Sequence, residues 1–359
     1  VSSTRLPLTV GLASLTTQTE GLSWPGITWS TGPQLAGNSE QLNALLDFAF
    51  LPESTARLGE TLAVVVVQGA KIVAERYSSQ ITAETPLISW STAKSITHAA
   101  AGILVADGLL DPGAPINAPE WQSAADPRAS ITLTDLLEMR SGLHFVEEYV
   151  DNKNSNCLEM LFGDAADDVA GYAASQPLEH KVGSVFNYSS GTTNIVARHI
   201  AHLLGAGEDP AERQSLMTEF LQQRLFGPLG MSTAQPRFDA SGTFVGSSYL
   251  FASAQDFARF GLLYLRDGLW GKERLLPEGW VDTARTAVSV DPDGGALYGQ
   301  HWWVRSGNAG IFFALGYEQQ IIMCIPRSDT VLVRLGKTTA DQRSSFESHW
   351  DEVILACTD

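Results

Sequence analysis

The stretch Leu62-Ala63-Val64-Val65-Val66-Val67 constrains the fold more than any other part of the chain. Consecutive β-branched residues favour a pleated backbone, and a run without polar alternation reads as a strand covered on both faces. Gln68-Gly69-Ala70-Lys71 turns it into a hairpin partner at 72–77. Comparable runs return only at 300–304, 311–315, 320–325 and 330–335, the last two joined by Pro326-Arg327-Ser328-Asp329. Tight turns between strands imply antiparallel pairing. One sheet can then draw its strands from both chain ends, with everything between them inserted.

The insertion reads as helical. Apolar residues recur at helical spacing over 91–107, 132–139, 165–174, 192–204, 212–225, 254–266 and 277–285, with Pro/Gly-rich loops between. A further helix at 41–50 precedes the valine run, and one over 340–356 closes the chain. The fold class is therefore α+β. Residues 1–38 form an irregular lead-in, 39–90 and 291–359 the sheet domain, and 91–290 a mostly helical domain. The active site is expected between the last two.

Composition removes several functions. With a formal net charge of −17 and no basic run, the chain is not expected to bind nucleic acid or an anionic membrane. No run of 18 apolar residues offers a membrane span. Cys157, Cys324 and Cys357 are too few and scattered for a disulfide framework or a zinc site. Cys324, inside Ile321–Ile325, reads as a buried thiol. His199 and His202 lie one helical turn apart with no third ligand near them in sequence, so no metal and no cofactor is expected. Sparse cysteines and the lack of a basic-then-apolar start point to the cytoplasm, or to the periplasm or exterior if a signal has been removed.

The chemistry concentrates in Ser89-Trp90-Ser91-Thr92-Ala93-Lys94-Ser95, which opens an apolar helix. Ser91 falls in its first turn, where the helix dipole favours developing negative charge. Lys94, three residues on, shares its face, with roughly 5–6 Å between Cβ atoms. A desolvated amine at that distance can act as base to the hydroxyl. The competing reading is a capping serine and a surface lysine, but a mostly apolar helix leaves such a lysine little surface. Tyr188, in Tyr188-Ser189-Ser190-Gly191, opens a second helix; near an ammonium its hydroxyl is expected to ionise more easily and relay protons, unless it is a packing aromatic.

These segments carry a resemblance. Ser91-x-x-Lys94, then Ile131-Thr132-Leu133-x-x-Leu136-Leu137-x-Met139-x-Ser141-Gly142-Leu143, then Tyr188-Ser189-Ser190-Gly191, then Phe226-Gly227-Pro228-Leu229-Gly230-Met231 resemble the β-lactamase-related serine hydrolases. That group includes class C β-lactamases, penicillin-binding proteins, family VIII carboxylesterases and 6-aminohexanoate-dimer hydrolases, and the match runs over about 40–355. It implies a β-lactamase/penicillin-binding-protein-like fold. It also implies Ser91 as acylated nucleophile, Lys94 as base, Tyr188 as second proton carrier, and the Ser91 and Tyr317 N–H groups as oxyanion hole. Ser190 stands where the family's Tyr-x-Asn has Asn.

Gly316-Tyr317-Glu318-Gln319-Gln320 stands for the third motif, with Gln319 in place of a glycine and no Lys-Thr-Gly cation. Lys337-Thr338-Thr339 is only superficially like that motif. Glu147 and Tyr149, in the acidic loop 145–151, are expected to contact a substrate amine or simply to face water. Ser247 lies in a cleft-like segment, Gly246–Tyr249. Glu318, facing the cleft, would repel a β-lactam carboxylate, with Arg305 and Arg334 as the cations able to offset it. The expected activity is hydrolysis of a small ester or amide, carboxylesterase-like. The alternatives are an amide hydrolase of the 6-aminohexanoate-dimer type and a β-lactamase or penicillin-binding sensor that acylates with little turnover.

Overall fold

A computed structural model describes residues 6, 12–18, 24–26, 28–123, 125–149, 154–292, 294–307 and 310–359. The valine run lies in β1 (Glu60–Gln68), which hairpins into β2 (Lys71–Tyr77). Side chains of a strand alternate between faces. Val64 and Val66 accordingly join one core, and Val65 and Val67 another.

The partners of β1 come from the far end of the chain. After β3 (Ser289–Val290), β4 (Leu297–Tyr298) and β5 (Trp303–Val304) come β6 (Phe312–Gly316), β7 (Gln320–Ile325) and β8 (Thr330–Lys337). They complete one antiparallel sheet in the order β2-β1-β8-β7-β6-β5-β4-β3. β1 pairs β8 from Glu60 opposite Lys337 to Gln68 opposite Thr330. Lys337, beyond the strand expected at 330–335, therefore closes β8, and it is exposed.

Helices cover both faces. α1 (Ser39–Ala49), capped by the Asn38 side chain, packs with α5 (Arg343–Ala356) on the Val64/Val66 face, through Leu42, Leu46, Phe346 and Trp350. On the other face lie α2 (Ala93–Ala106), α3 (Ser190–Leu203) and α4 (Ala254–Leu265), in the larger core. A Cβ on Gly261 would stand 2.5 Å from Val331 Cγ1, so α4 reaches β8 that closely because Gly261 has no side chain.

Several expected helices are shorter than their periodicity. Over 165–174, a turn at Asp164–Asp167 is followed by a separate helix, Val169–Ser175, because the Asp168 side chain caps a new start at Gly171 N. Over 132–139 only Leu133–Leu137 is helical, held by a Thr132/Asp135 capping box. Within 277–285 only Trp280–Arg285 is helical, and 212–225 becomes Pro210–Leu221 followed by a wider turn, Gln222–Phe226. Of 300–304 only Trp303–Val304 is strand, since His301 takes a φ of 54°. Helices Pro52–Leu58 and Asn156–Phe162 were not expected. Among the described residues no helix is long and apolar enough to cross a membrane. Of the lead-in, 1–5, 7–11, 19–23 and 27 lie outside the described residues, as do 150–153 beside the acidic loop.

Candidate active site

The helix start brings Ser91 and Lys94 together. Trp90–Thr92 forms a 3-10 turn that runs directly into α2, and Trp90 holds a φ of 44°, a left-handed conformation rare for a bulky residue. Lys94 Nζ lies 2.9 Å from Ser91 Oγ. It also donates to Ser190 Oγ at 2.9 Å and to the Ser247 carbonyl at 3.1 Å. Only 1% of Lys94 is exposed, so it is not a surface lysine. Burial pushes its pKa down, while the neighbouring Glu147 carboxylate pulls it back up.

Ser190 opens α3, whose start is capped by the Ser189 side chain accepting from Thr192 N. A Cβ on Gly191 would stand 2.6 Å from Phe145 Cε2, so the glycine of Tyr188-Ser189-Ser190-Gly191 lets this turn press against the segment carrying Glu147. Ser190 Oγ donates to Glu147 Oε1 at 2.5 Å and Ser190 N to Glu147 Oε2 at 2.7 Å. Tyr149 OH donates to Glu147 Oε1 at 2.9 Å, and Cys157 Sγ lies 3.5 Å from the same oxygen. Glu147 is thus tied to Ser190 and Tyr149 instead of being turned to water or waiting free for a substrate amine. Its segment is pinned to the helix Asn156–Phe162, with Val146 N donating to Asn156 Oδ1 at 2.9 Å.

Tyr188 packs between Lys94 and two aromatic residues. Lys94 Nζ lies 4.9 Å from its ring centroid, and Tyr298 and Trp303 flank the ring. Ionisation is not eased, contrary to the sequence-based expectation. Burial raises the pKa, as does the charge of Glu147, and these outweigh the opposing influence of Ser91. Tyr188 therefore stays neutral.

Opposite Ser91 stands the end of β6. A Cβ on Gly316 would meet Ser89 O at 2.5 Å and Ser91 N at 3.1 Å, which brings the strand backbone against the nucleophile turn. Glu318 and Gln319 follow at φ of 58° and 64°. Gln319 thus adopts the left-handed conformation that a glycine takes without strain. Two buried side chains hold this turn by its carbonyls. Gln320 Nε2 donates to Tyr317 O at 2.9 Å; Arg334 Nη1 donates to Glu318 O at 2.9 Å and to Gln319 O at 3.1 Å.

A cavity of about 120 Å³ opens on Ser91. Trp90, Tyr149, Leu158, Leu161, Phe162 and Tyr317 supply its apolar wall, with Cys157, Ser190 and Ser248 also lining it. Among the described residues no charged side chain lines it. Tyr317 lies 5.2 Å from Tyr149 with the rings tilted and meets Trp90 edge-on at 5.9 Å, making an aromatic rim.

The sequence profile of the β-lactamase family matches residues 55–355. The chain belongs to the β-lactamase family. A 6-aminohexanoate-dimer hydrolase from Paenarthrobacter ureafaciens is 25% identical over 308 residues, 79% of this chain and 75% of that protein. Among solved structures, a candidate 6-aminohexanoate-dimer hydrolase from Bacillus anthracis superposes with a TM-score of 0.73 at 20% identity, covering 95% of this chain and 90% of the other. A penicillin-binding protein from Bacillus halodurans superposes at 0.64 and 17% identity, over 86% of this chain and 99% of that one. The architecture is therefore that of β-lactamases and penicillin-binding proteins, and family membership makes the chain a hydrolase.

Within this β-lactamase family site, four sequence-based expectations need correction. Ser247 meets Lys94 through its carbonyl, while its hydroxyl is buried 2.9 Å from Ser248 Oγ; Ser248 is the one at the cavity. Glu318 does not line the cavity, and burial raises its pKa against the pull of Lys337 and Arg334. Arg334 is spent on backbone carbonyls beneath the turn, and Arg305 pairs with Asp351 at 2.7 Å, so neither offers a cation to the cleft. The helix Asn156–Phe162, which supplies four cavity residues, was missed. Ser155 as its cap, accepting from Leu158 N, was the available signal. Among the described residues no three His, Cys, Asp or Glu are placed to hold a metal.

Proposed function

We propose that the chain hydrolyses small uncharged carboxylic esters and amides through an acyl-enzyme on Ser91. The observation carrying this reading is the fully buried Lys94 with Nζ 2.9 Å from Ser91 Oγ. An amine whose ammonium form is penalised by burial can take the serine proton as Oγ attacks the carbonyl carbon. The Ser91 and Tyr317 N–H groups receive the oxyanion, at a turn braced by Gln320 and Arg334. Lys94 then returns the proton through Tyr188, whose hydroxyl gives its own proton to the leaving oxygen or nitrogen. Water, activated by the same base, cleaves the ester to Ser91.

The lining supports an uncharged, largely apolar substrate, because the cavity wall offers aromatic and aliphatic groups and no charge. Esters are the easier substrates and are expected to turn over fastest. A linear amide of the 6-aminohexanoate-dimer kind is the second reading, favoured by the Paenarthrobacter relative. A panel of chromogenic short-chain esters, linear amides and a cephalosporin separates the readings. A charge contact absent from a partly desolvated site costs about 1.5–3 kcal/mol, so a neutral ester should exceed the cephalosporin in kcat/KM by about tenfold or more. Ser91→Ala should abolish turnover, and a phosphonate should add once, at Ser91, by intact mass and peptide mapping. An adduct elsewhere, or an active Ser91→Ala, rules out the mechanism. A burst without turnover assigns the chain to the stalled penicillin-binding class instead.

A further inference from the structure

A neutral lysine is a base only along its lone pair, and hydrogen-bond directions around Lys94 decide where that lone pair points. An ammonium has three N–H donors; a neutral amine has two donors and one lone pair. Three oxygens surround Nζ: Ser247 O at 3.1 Å, Ser190 Oγ at 2.9 Å and Ser91 Oγ at 2.9 Å. Ser247 O, a carbonyl, can only accept, which uses one N–H. Ser190 Oγ could accept from the lysine or donate its proton into the lone pair. The second arrangement would leave Lys94 donating to Ser91 and unable to take its proton.

Glu147 removes that ambiguity. A carboxylate is acceptor-only, and Ser190 Oγ, Ser190 N and Tyr149 OH converge on its two oxygens. The single Ser190 proton is committed to Glu147 Oε1, at 2.5 Å. Ser190 must then accept from Lys94. Both N–H groups of the neutral amine are occupied, and the lone pair faces Ser91. A chain of donors then runs from Ser91 through Lys94 and Ser190 to Glu147.

We propose that Glu147 is a positioning residue: by fixing the Ser190 hydroxyl it turns the lone pair of Lys94 toward Ser91. This rests on the reading of Ser91 as nucleophile and Lys94 as base. The pH dependence carries its signature. Tyr188, Tyr149, Cys157 and His301 also lie around Lys94. Burial pushes the first three up and His301 down to about 3, so they stay uncharged near neutrality. Glu147 is then the charged partner of Lys94 and favours its ammonium.

The test is Glu147→Gln, assayed with a neutral chromogenic ester from about pH 5 to about pH 9. Two changes are expected together. The plateau of kcat falls about tenfold or more, because the amide that replaces the carboxylate can donate to Ser190 Oγ and release its proton toward Lys94. The acidic limb of kcat/KM moves to lower pH, because the ammonium loses its counter-charge. Adding Ser190→Asn, oriented with its carbonyl toward Lys94, should restore part of the plateau. Ser190→Ala keeps the main-chain bond to Glu147 but removes the acceptor, so it too should lose about tenfold, and it carries the test if Glu147→Gln does not fold. A fall in kcat with an unmoved limb reduces Glu147 to a structural role. Full activity in Glu147→Gln or Ser190→Ala, with Ser91→Ala inactive on the same ester, overturns the positioning role alone. An active Ser91→Ala overturns the nucleophile reading on which it rests.

Discussion

Gly316 shows how little room single residues leave around the nucleophile. An added Cβ would stand 2.5 Å from Ser89 O, a backbone atom that cannot swing aside. Gly316→Ala should push the end of β6 away from the Ser91 turn while leaving the sheet paired. Loss of one aligned oxyanion donor costs on the order of 10²–10³ in kcat. A fall of about 10² on a chromogenic ester, with a melting temperature within a few degrees of the parent, is the expected outcome; unchanged kcat would place the oxyanion hole elsewhere. At this scale the sequence is legible where chemistry is local. Ser91 and Lys94 sit three residues apart on one chain segment, and their meeting follows from helical geometry. Gln319 stands out as a non-glycine, and its φ of 64° gives that departure a physical meaning. The function of Ser190 is illegible, because a hydroxyl takes its direction from Glu147, 43 residues away in sequence. The Tyr188 expectation fails for a related reason: an adjacent lysine can be read from the motif, but burial and the Glu147 carboxylate cannot.

Helix α2 carries the base, just beyond the turn that carries the nucleophile, is buried almost throughout, and is held against Trp280. A Cβ on Gly102 would lie 2.4 Å from Trp280 Nε1 and 2.7 Å from its Cδ1, and that Nε1 donates to His98 O at 3.2 Å. Although alanine is the better helix former, Gly102→Ala should destabilise the protein by about 1–3 kcal/mol, since overpacking outweighs the propensity gain. Urea unfolding at neutral pH measures this, and a more stable Gly102→Ala would show that Trp280 can move. The long apolar elements are the ones sequence periodicity locates best. The valine run, Gln320–Ile325 and α4 have one dominant pattern each. Short elements set by caps escape periodicity: Asn156–Phe162 begins at the Ser155 side chain, and Val169–Ser175 at that of Asp168. The cleft depends on one of these, since Asn156–Phe162 supplies both its apolar wall and the anchor for Glu147.

Across the whole molecule, the sheet separates two cores, and the larger holds uncharged histidines beneath the site. His98 Nδ1 meets Tyr264 OH at 2.7 Å, its Nε2 has no hydrogen-bond partner among the described residues, and its ring stacks on Trp280. His301 lies between Leu137 O at 3.0 Å and Thr193 Oγ1 at 2.9 Å. Burial holds both below the ordinary histidine value, His301 at about 3 and His98 well down, each also lowered by a neighbouring base. Between those folded values and the unfolded value of about 6.5, the unfolded chain binds the extra protons. The stabilisation from neutral histidines is complete above about pH 6.5 and is lost as pH falls toward the folded values. Each such group contributes a slope of up to about 1.4 kcal/mol per pH unit within its window. Asp239 and Asp256, whose burial raises their pKa, act in the opposite direction and make the net slope smaller. Lys94, whose pKa burial also lowers, adds a slope of the same sign above neutrality, so unfolding free energies from urea titrations should decline below about pH 8 and steepen from about pH 6.5 toward about pH 4.5. His301→Gln, with an amide that can still meet Leu137 O or Thr193, should be less stable at neutral pH yet decline less steeply on acidification. A parent curve flat to about pH 4.5, or a variant of equal slope, would show that these histidines do not control the acid limit of the fold.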